Sequence, residues 1–166
     1  NVIAFDMGGT TAKASLIKDG ETTVEEGYYV GGYESGHPVM QPVIGVVEVG
    51  AGGGSIAWLD EVGGLKVGPQ SAGGDPGPVC YDHGGLEPTI TDANLVLGRI
   101  SSENFLGGEM PLNLERARAT IQEKVASGLG LPVEETALGI IRIAVAKMSL
   151  AVRGISVEKG YDPRDF

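Results

Sequence analysis

The sequence predicts an α/β fold in which a mixed β-sheet comes first and packed helices follow. Three observations carry this. Residues 1–67 are cut by Gly, Pro and Asp into short, β-branched runs. After Pro88 the apolar residues recur at helical spacing. Between the two earliest strand-like runs stands a Gly-Gly turn flanked by an Asp and two threonines. Strands first and helices later describe a layered α/β or α+β domain. A chain of 166 residues is long enough for one core that buries roughly 70% of the unfolded surface. Residues 1–166 therefore read as a single domain: a β-rich part (1–67), an ordered Gly/Pro loop (68–90) and a helical part (91–166).

Asn1 to Ala4 is apolar and β-branched enough for a strand, and Ala12 to Ile17 alternates well enough for a second. Asp19-Gly20 between Leu16-Ile17-Lys18 and Thr22-Thr23-Val24 is a hairpin signal, because both residues tolerate positive φ. Val43 to Val49 is a short apolar run bounded by Pro42 and Gly50. Tyr28, Tyr29 and Tyr33 fit a strand surface. After Gly50-Ala51-Gly52-Gly53-Gly54-Ser55, the run Ile56-Ala57-Trp58-Leu59 reads as a strand with a turn at Gly63-Gly64. Residues 68–88 are nearly all turn chemistry, yet include Cys80 and Tyr81, so they form an ordered loop rather than a linker.

Thr91 to Leu97 has an N-cap candidate and an acidic first turn, and ends near Gly98. Asn113 caps a helix through Leu114, Ala117, Ile121 and Val125 to about Gly128. In the last helix Ala137, Ile141, Ala144, Val145, Met148, Val152 and Ile155 form one stripe, with Gly160 and Pro163 marking its end.

A net charge of −10 argues against nucleic acid or an anionic membrane surface as the partner. No apolar run reaches the ~18 residues of a membrane span, and no signal peptide is evident. The single cysteine, Cys80, excludes an internal disulfide and a Cys-based zinc site; a reducing cytoplasm is the expected compartment. The thiol itself reads as buried and inert. His37 and His83 are too few and too scattered for a metal site. The 28 glycines are two to three times the share expected from ordinary usage of ~7%. The missing initiator Met and the opening inside a strand suggest an interior piece.

The chemistry concentrates in Asp6-Met7-Gly8-Gly9-Thr10-Thr11. Glycines in the turn let successive N–H groups converge on an anion. The hydroxyls of Thr10 and Thr11 add donors, and Asp6 can hold a magnesium ion directly or through water. A tight hairpin is the plain alternative. Lys13 either reaches a phosphate or is an exposed strand residue. Gly50 to Gly54 invites a dinucleotide reading, but that motif must open a helix and here a strand follows. Asp75 and Asp92 are candidates for a metal or phosphate-positioning role; a turn at Asp75 and a helix cap at Asp92 are the alternatives.

The segments FDMGGTTAK, VGAGGGSIAWLD, VGPQSAGGDPGPVCY and PTITDANLVLGRI occur in this order and cover essentially the whole chain. In them the chain resembles the hydantoinase A/oxoprolinase family, which includes ATP-dependent N-methylhydantoinases, 5-oxoprolinases and the β-type subunits of acetone and acetophenone carboxylases. The resemblance implies a core like the actin, sugar-kinase and Hsp70 ATPases, two lobes closing on ATP. Asp6 to Thr11 would then be the second phosphate loop, opening the second lobe. The first lobe and the adenosine-binding segment would lie outside residues 1–166, and the isolated chain would be inactive. Two positions depart from the family pattern: Gly45, where an Asp is usual, and Pro132, where a capping Ser is common.

The implied activity is phosphoryl transfer from ATP to a carbonyl oxygen, with Mg²⁺, leading to hydrolysis of a cyclic amide of the hydantoin or 5-oxoproline type. Gly8, Gly9 and Thr10 would cradle the phosphates. Asp6 and Asp75 would serve the metal, and Thr11 or Lys13 would support the phosphates. The loops Gly50–Ser55 (with Gly52, Gly53, Gly54 and Ser55 at the cofactor) and Ser71–Tyr81 would shape the pocket. The small-molecule substrate would be a cyclic amide or a ketone, and the partner a subunit of the hydantoinase B or carboxylase α type. The alternatives are the ATP-using subunit of a ketone carboxylase and a non-catalytic interaction module with a degenerate ATPase fold.

Overall fold

The computed structural model describes residues 1–25, 27–30 and 36–166, and Tyr33 lies outside them. The chain divides into two compact units. One comprises Asn1–Asp6, Lys13–Glu48 and Ser149–Phe166; the other comprises Met7–Ala12 and Val49–Met148.

The first unit is built on short strands. β1 (Val2–Met7) and β2 (Ala12–Lys18) pair, and β3 (Glu21–Thr22) returns along β2. The β2–β3 hairpin registers Lys18 opposite Glu21, with Asp19 at φ 54° and Gly20 at φ 82°. That is the primed turn the Asp-Gly pair favours. Along β2, Ala14 and Leu16 are buried while Lys13 and Lys18 are exposed, the period-two alternation of a half-buried strand. β4 (Val24–Glu25) pairs with β7 (Val43–Ile44), and β5 (Tyr28–Val30) with β6 (His37–Val39). β8 (Val46–Val49) pairs instead with β2.

The apolar run 43–49 is therefore not one strand. It breaks at buried Gly45, whose N–H bonds the carbonyl of Thr23 at 2.9 Å, and its halves join different partners. The C-terminal segment closes this unit with a Lys159–Glu25 ion pair and Lys18 Nζ 5.2 Å from the centre of the Tyr161 ring.

The second unit packs helices on an antiparallel ribbon. β9 (Ser55–Leu59) pairs with β10 (Leu65–Ser71), which runs into what the sequence reads as loop. Tight turns and a 3₁₀ turn at Val79–Tyr81 lead to α1 (Ile90–Val96). α2 (Leu114–Ile121), capped by the Asn113 side chain, continues through a π-helical turn at Gln122–Ala126 into α3 (Ser127–Leu129). α4 (Val133–Ile155) begins directly after Pro132, whose carbonyl accepts the Thr136 N–H at 2.9 Å. The core gathers Ala57, Val67, Ile90, Leu95, Ile121, Ile140 and Ala144. Val145 is 54% exposed, and Ile140 takes its place on the inward stripe. Among the described residues no helix is long and apolar enough to cross a membrane.

Asp92 ties this unit together. Thr89 is the N-cap of α1 and forms a reciprocal capping box with Asp92. The fully buried Asp92 carboxylate accepts hydrogen bonds from Val79 N (3.2 Å), Cys80 N (2.7 Å), Thr89 N (2.8 Å) and Thr89 Oγ1 (2.8 Å). Asp92 is thus a structural knot between the 3₁₀ turn and α1, the capping alternative. Its neighbour Cys80 is buried, and desolvation, then the Asp92 charge, push its thiol well above the usual range. Asp92→Asn turns an amide N–H₂ toward these donors. Chemical denaturation of this variant should show a loss of about 3 kcal/mol, the scale for a buried charged acceptor left mismatched.

Candidate functional site

The turn Gly8–Thr11 closes on itself through Gly8 N to Thr11 O at 2.9 Å. Gly8, Gly9 and Thr10 are exposed and Thr11 is half-buried. Among the described residues the N–H groups of Gly9 and Thr10 have no acceptor. An exposed turn presenting unpaired N–H groups beside two hydroxyls is a place for an anion.

What holds this turn is main chain. Gly53 N donates to Gly8 O at 3.0 Å, and Gly54 N donates to Gly9 O at 2.6 Å. Gly52 lies so close that a Cβ there would stand 2.6 Å from Gly9 C, Thr10 N and Thr10 C. Gly52 N is bonded to Ser55 Oγ (2.9 Å), and Ser55 N to Gly52 O (2.9 Å). All four amides of Gly52–Ser55 are thus committed within the chain. These residues form a seat under the turn, with the outward donors left to Gly9 and Thr10.

The seat is fastened from its other side. Thr91 gives both its N–H and its Oγ1–H to Gly53 O, each at 2.9 Å. Gly54 O accepts from Ala72 N at 2.8 Å, and Ser71 Oγ lies 3.5 Å from Thr10 Oγ1. Thr91 is not legible as a site residue in the sequence, whereas Ser71 opens the Ser71–Tyr81 loop expected to shape the pocket. Thr91 reads as part of a helix start, and Ser71 is one small residue in a Gly/Pro-rich run.

Within the first unit, Asp6 and Lys13 are exposed and line a shallow groove of about 220 Å³ with Phe5, Ser15 and Val46. Buried Gly45 faces Glu25: a Cβ there would stand 3.1 Å from Glu25 Oε1. An aspartate at 45 would put a second carboxylate beside it. Asp75 stands in the turn after β10, exposed and without a hydrogen bond or ion pair among the described residues. No group of three or more His, Cys, Asp or Glu side chains suited to a metal ion occurs among the described residues.

The unpaired N–H groups of Gly9 and Thr10 beside two threonine hydroxyls are a donor set that fits a nucleotide polyphosphate. It fits magnesium only in the manner of a phosphate-bound ion, which keeps its waters and takes one or two carboxylates. Asp6, exposed in the first unit, is one open carboxylate of this kind.

The family described as hydantoinase/oxoprolinase matches residues 1–166. The chain belongs to this family. It is 53% identical over 173 residues to an uncharacterised protein of Methanocaldococcus jannaschii, covering 99% of this chain and 25% of that protein. It is 49% identical over 166 residues to the caprolactamase subunit alpha of Pseudomonas jessenii, covering 100% of this chain and 23% of the relative. The solved structure of the ATP-dependent caprolactamase from that organism superposes with a TM-score of 0.85 at 47% identity, covering 99% of this chain and 23% of the other. A nucleotide-free acetone carboxylase structure gives 0.86 at 33% identity, with the same coverage. The chain thus spans about a quarter of the length of these relatives.

The seat makes a paired prediction in the full-length protein. Gly52→Ala drives a methyl into backbone atoms that cannot rotate away, whereas a Cβ at Gly9 meets nothing within 4 Å. Gly52→Ala should cost about 1–3 kcal/mol of stability in chemical denaturation. Gly9→Ala should change stability by less than about 1 kcal/mol in the same denaturation assay.

Proposed function

We infer that this chain is part of an ATP-dependent enzyme that activates a carbonyl oxygen by phosphoryl transfer. The favoured outcome is hydrolysis of a cyclic amide. The observation that carries this reading is the Gly8–Thr11 turn, with the Gly9 and Thr10 N–H groups unpaired and the main chain fixed from below by Gly53 and Gly54. Phosphoryl transfer asks a protein mainly for positioning and charge neutralisation. A turn whose donors are pre-aimed and cannot sag meets the first demand.

In this reading Gly8, Gly9 and Thr10 hold the β- and γ-phosphates, and Thr11 and Lys13 support them. Asp6 is the residue that would hold magnesium, which supplies charge neutralisation on the phosphates. Gly52, Gly53, Gly54 and Ser55 act on the cofactor through the turn they carry. Residues 1–166 then belong to the second lobe of an actin/sugar-kinase/Hsp70-like ATPase, as one domain whose strands precede its helices. The names of two relatives support ATP as co-substrate, one an ATP-dependent caprolactamase and one an acetone carboxylase solved for its ATP-dependent carboxylation. The word subunit in the caprolactamase relative supports a partner of the hydantoinase B or carboxylase α type.

A ketone-carboxylating subunit is the second reading, favoured by the TM-score of 0.86 with acetone carboxylase. Steady-state assays of the full-length protein separate the two. ATP turnover driven by a cyclic amide without bicarbonate supports the hydrolase; turnover only with ketone, bicarbonate and partner subunit supports the ligase. In either case Asp6→Ala should reduce ATP turnover at least about 100-fold, the scale of losing one preorganised electrostatic group. Unchanged turnover in Asp6→Ala would remove Asp6 from the metal site, and no ATP turnover by the wild type would leave the non-catalytic interaction module as the reading.

A further inference from the structure

The Ser71 hydroxyl engages two loops at once. Its Oγ accepts the Gly73 N–H at 3.1 Å, and the same hydroxyl donates toward Thr10 Oγ1 at 3.5 Å. A serine hydroxyl has one proton and two lone pairs. With a lone pair spent on Gly73, the Ser71 proton is directed at Thr10. Thr10 Oγ1 has no other partner among the described residues, so its own proton is open to a ligand. The three groups form a head-to-tail series, Gly73 N–H to Ser71 O–H to Thr10 O–H. Its open end lies on the exposed Gly8–Thr11 turn. All three residues belong to the second unit.

Main chain keeps the two ends of this series close. Gly54 N holds Gly9 O at 2.6 Å, and Gly54 O takes the Ala72 N–H at 2.8 Å. A Cβ on Gly54 would stand 2.9 Å from Ser71 Oγ and 3.1 Å from Gly9 O, so only glycine admits both neighbours. The 3.5 Å step from Ser71 to Thr10 is the loose one, since an O–H···O bond usually spans about 2.5–3.0 Å. Donors in series polarise one another. An anion that accepts from Thr10 makes the Thr10 oxygen a stronger acceptor and draws the Ser71 hydroxyl in. At the far end, Gly73 lies in the loop whose Gly77 N returns to Ala72 O at 3.2 Å. With Ile56 and Leu86, that loop walls a cavity of about 430 Å³.

We propose that Ser71 is a positioning residue of the anion site: it aims the Thr10 O–H at a bound phosphate and, through the Gly73 N–H, makes the 71–77 loop respond to occupancy of the turn. The proposal rests on the ATP reading above and adds a residue and a route of coupling to it. Ser71 touches no ligand in this scheme; it acts only through the Thr10 hydroxyl. Its contribution therefore disappears when that hydroxyl is removed and survives when only the Thr10 methyl is.

The test titrates the full-length protein with the non-hydrolysable analogue β,γ-imido-ATP and magnesium. Ser71→Ala should weaken binding about 5- to 10-fold, the scale of one hydrogen bond. In a Thr10→Ser background the same change should cost as much, and in a Thr10→Val background less than about twofold, the non-additivity expected of groups that act in series. Hydrogen exchange supplies a readout that needs no variant at Ser71. At saturating analogue the Gly73 N–H of the wild type should exchange at least about threefold more slowly, and Thr10→Val should abolish that slowing. The Gly63 N–H, bonded to Asp60 O at 2.9 Å in the β9–β10 turn, is the internal reference and should not change. Three results would each overturn the proposal and leave the ATP reading standing: full affinity in Ser71→Ala, an equal loss in the Thr10→Val background, or a Gly73 amide that the bound analogue leaves unmoved. A wild type that does not bind the analogue would sink both.

Discussion

The seating of the Gly8–Thr11 turn on Gly52–Gly54 is the contact on which the rest of the site depends. It is backbone on backbone: two hydrogen bonds, Gly53 N to Gly8 O and Gly54 N to Gly9 O, and an approach at Gly52 that excludes any side chain. Each bond contributes only about 1 kcal/mol. The geometry matters more than the energy, because an anion-binding turn is useful only if its donors cannot swing. A side-chain contact would leave rotamer freedom at the joint, whereas peptide groups leave almost none.

The rigidity of the seat has a traceable origin. Gly53 O is held by both donors of Thr91 at the first turn of α1. The neighbouring Asp92 fixes the start of that helix to Thr89, Val79 and Cys80. The exposed turn is thereby connected to a buried carboxylate through a short path of hydrogen bonds, and on the other flank to the 71–77 loop through Gly54. One carboxylate in the interior organises polar main chain; the other, Asp75, is exposed and without a partner among the described residues. The difference between the two aspartates is environment, not residue type.

Much of this was legible in the sequence where the signal is local. Asp19-Gly20 names its own turn, Asn113 its own cap, and the stripe in α4 its own helix, because each depends on residues within one turn of chain. The Gly8–Thr11 turn was legible for the same reason. The losses came where a distant partner decides. Val43 to Val49 reads as one strand but splits at Gly45, since β4 and β2 compete for its halves. Residues 68–71 read as loop, yet Leu59 to Ser55 draws them into β10. Gly52 to Gly54 announced themselves as a glycine run, but their task, a close approach to Gly9 and Thr10, depends on a segment some forty residues earlier. Thr91 carries no signal of its own.

The turn and its seat hold two sets of amides, those spent within the chain and those unpaired among the described residues. Residue-resolved hydrogen exchange of the full-length protein, with and without ATP and magnesium, measures this difference directly. Gly53 and Gly54 N–H should exchange slowly in both states, and Gly9 and Thr10 should exchange rapidly alone and become protected when nucleotide is added. Rapid exchange at Gly53 and Gly54, or Gly9 and Thr10 amides that nucleotide leaves unchanged, would contradict it.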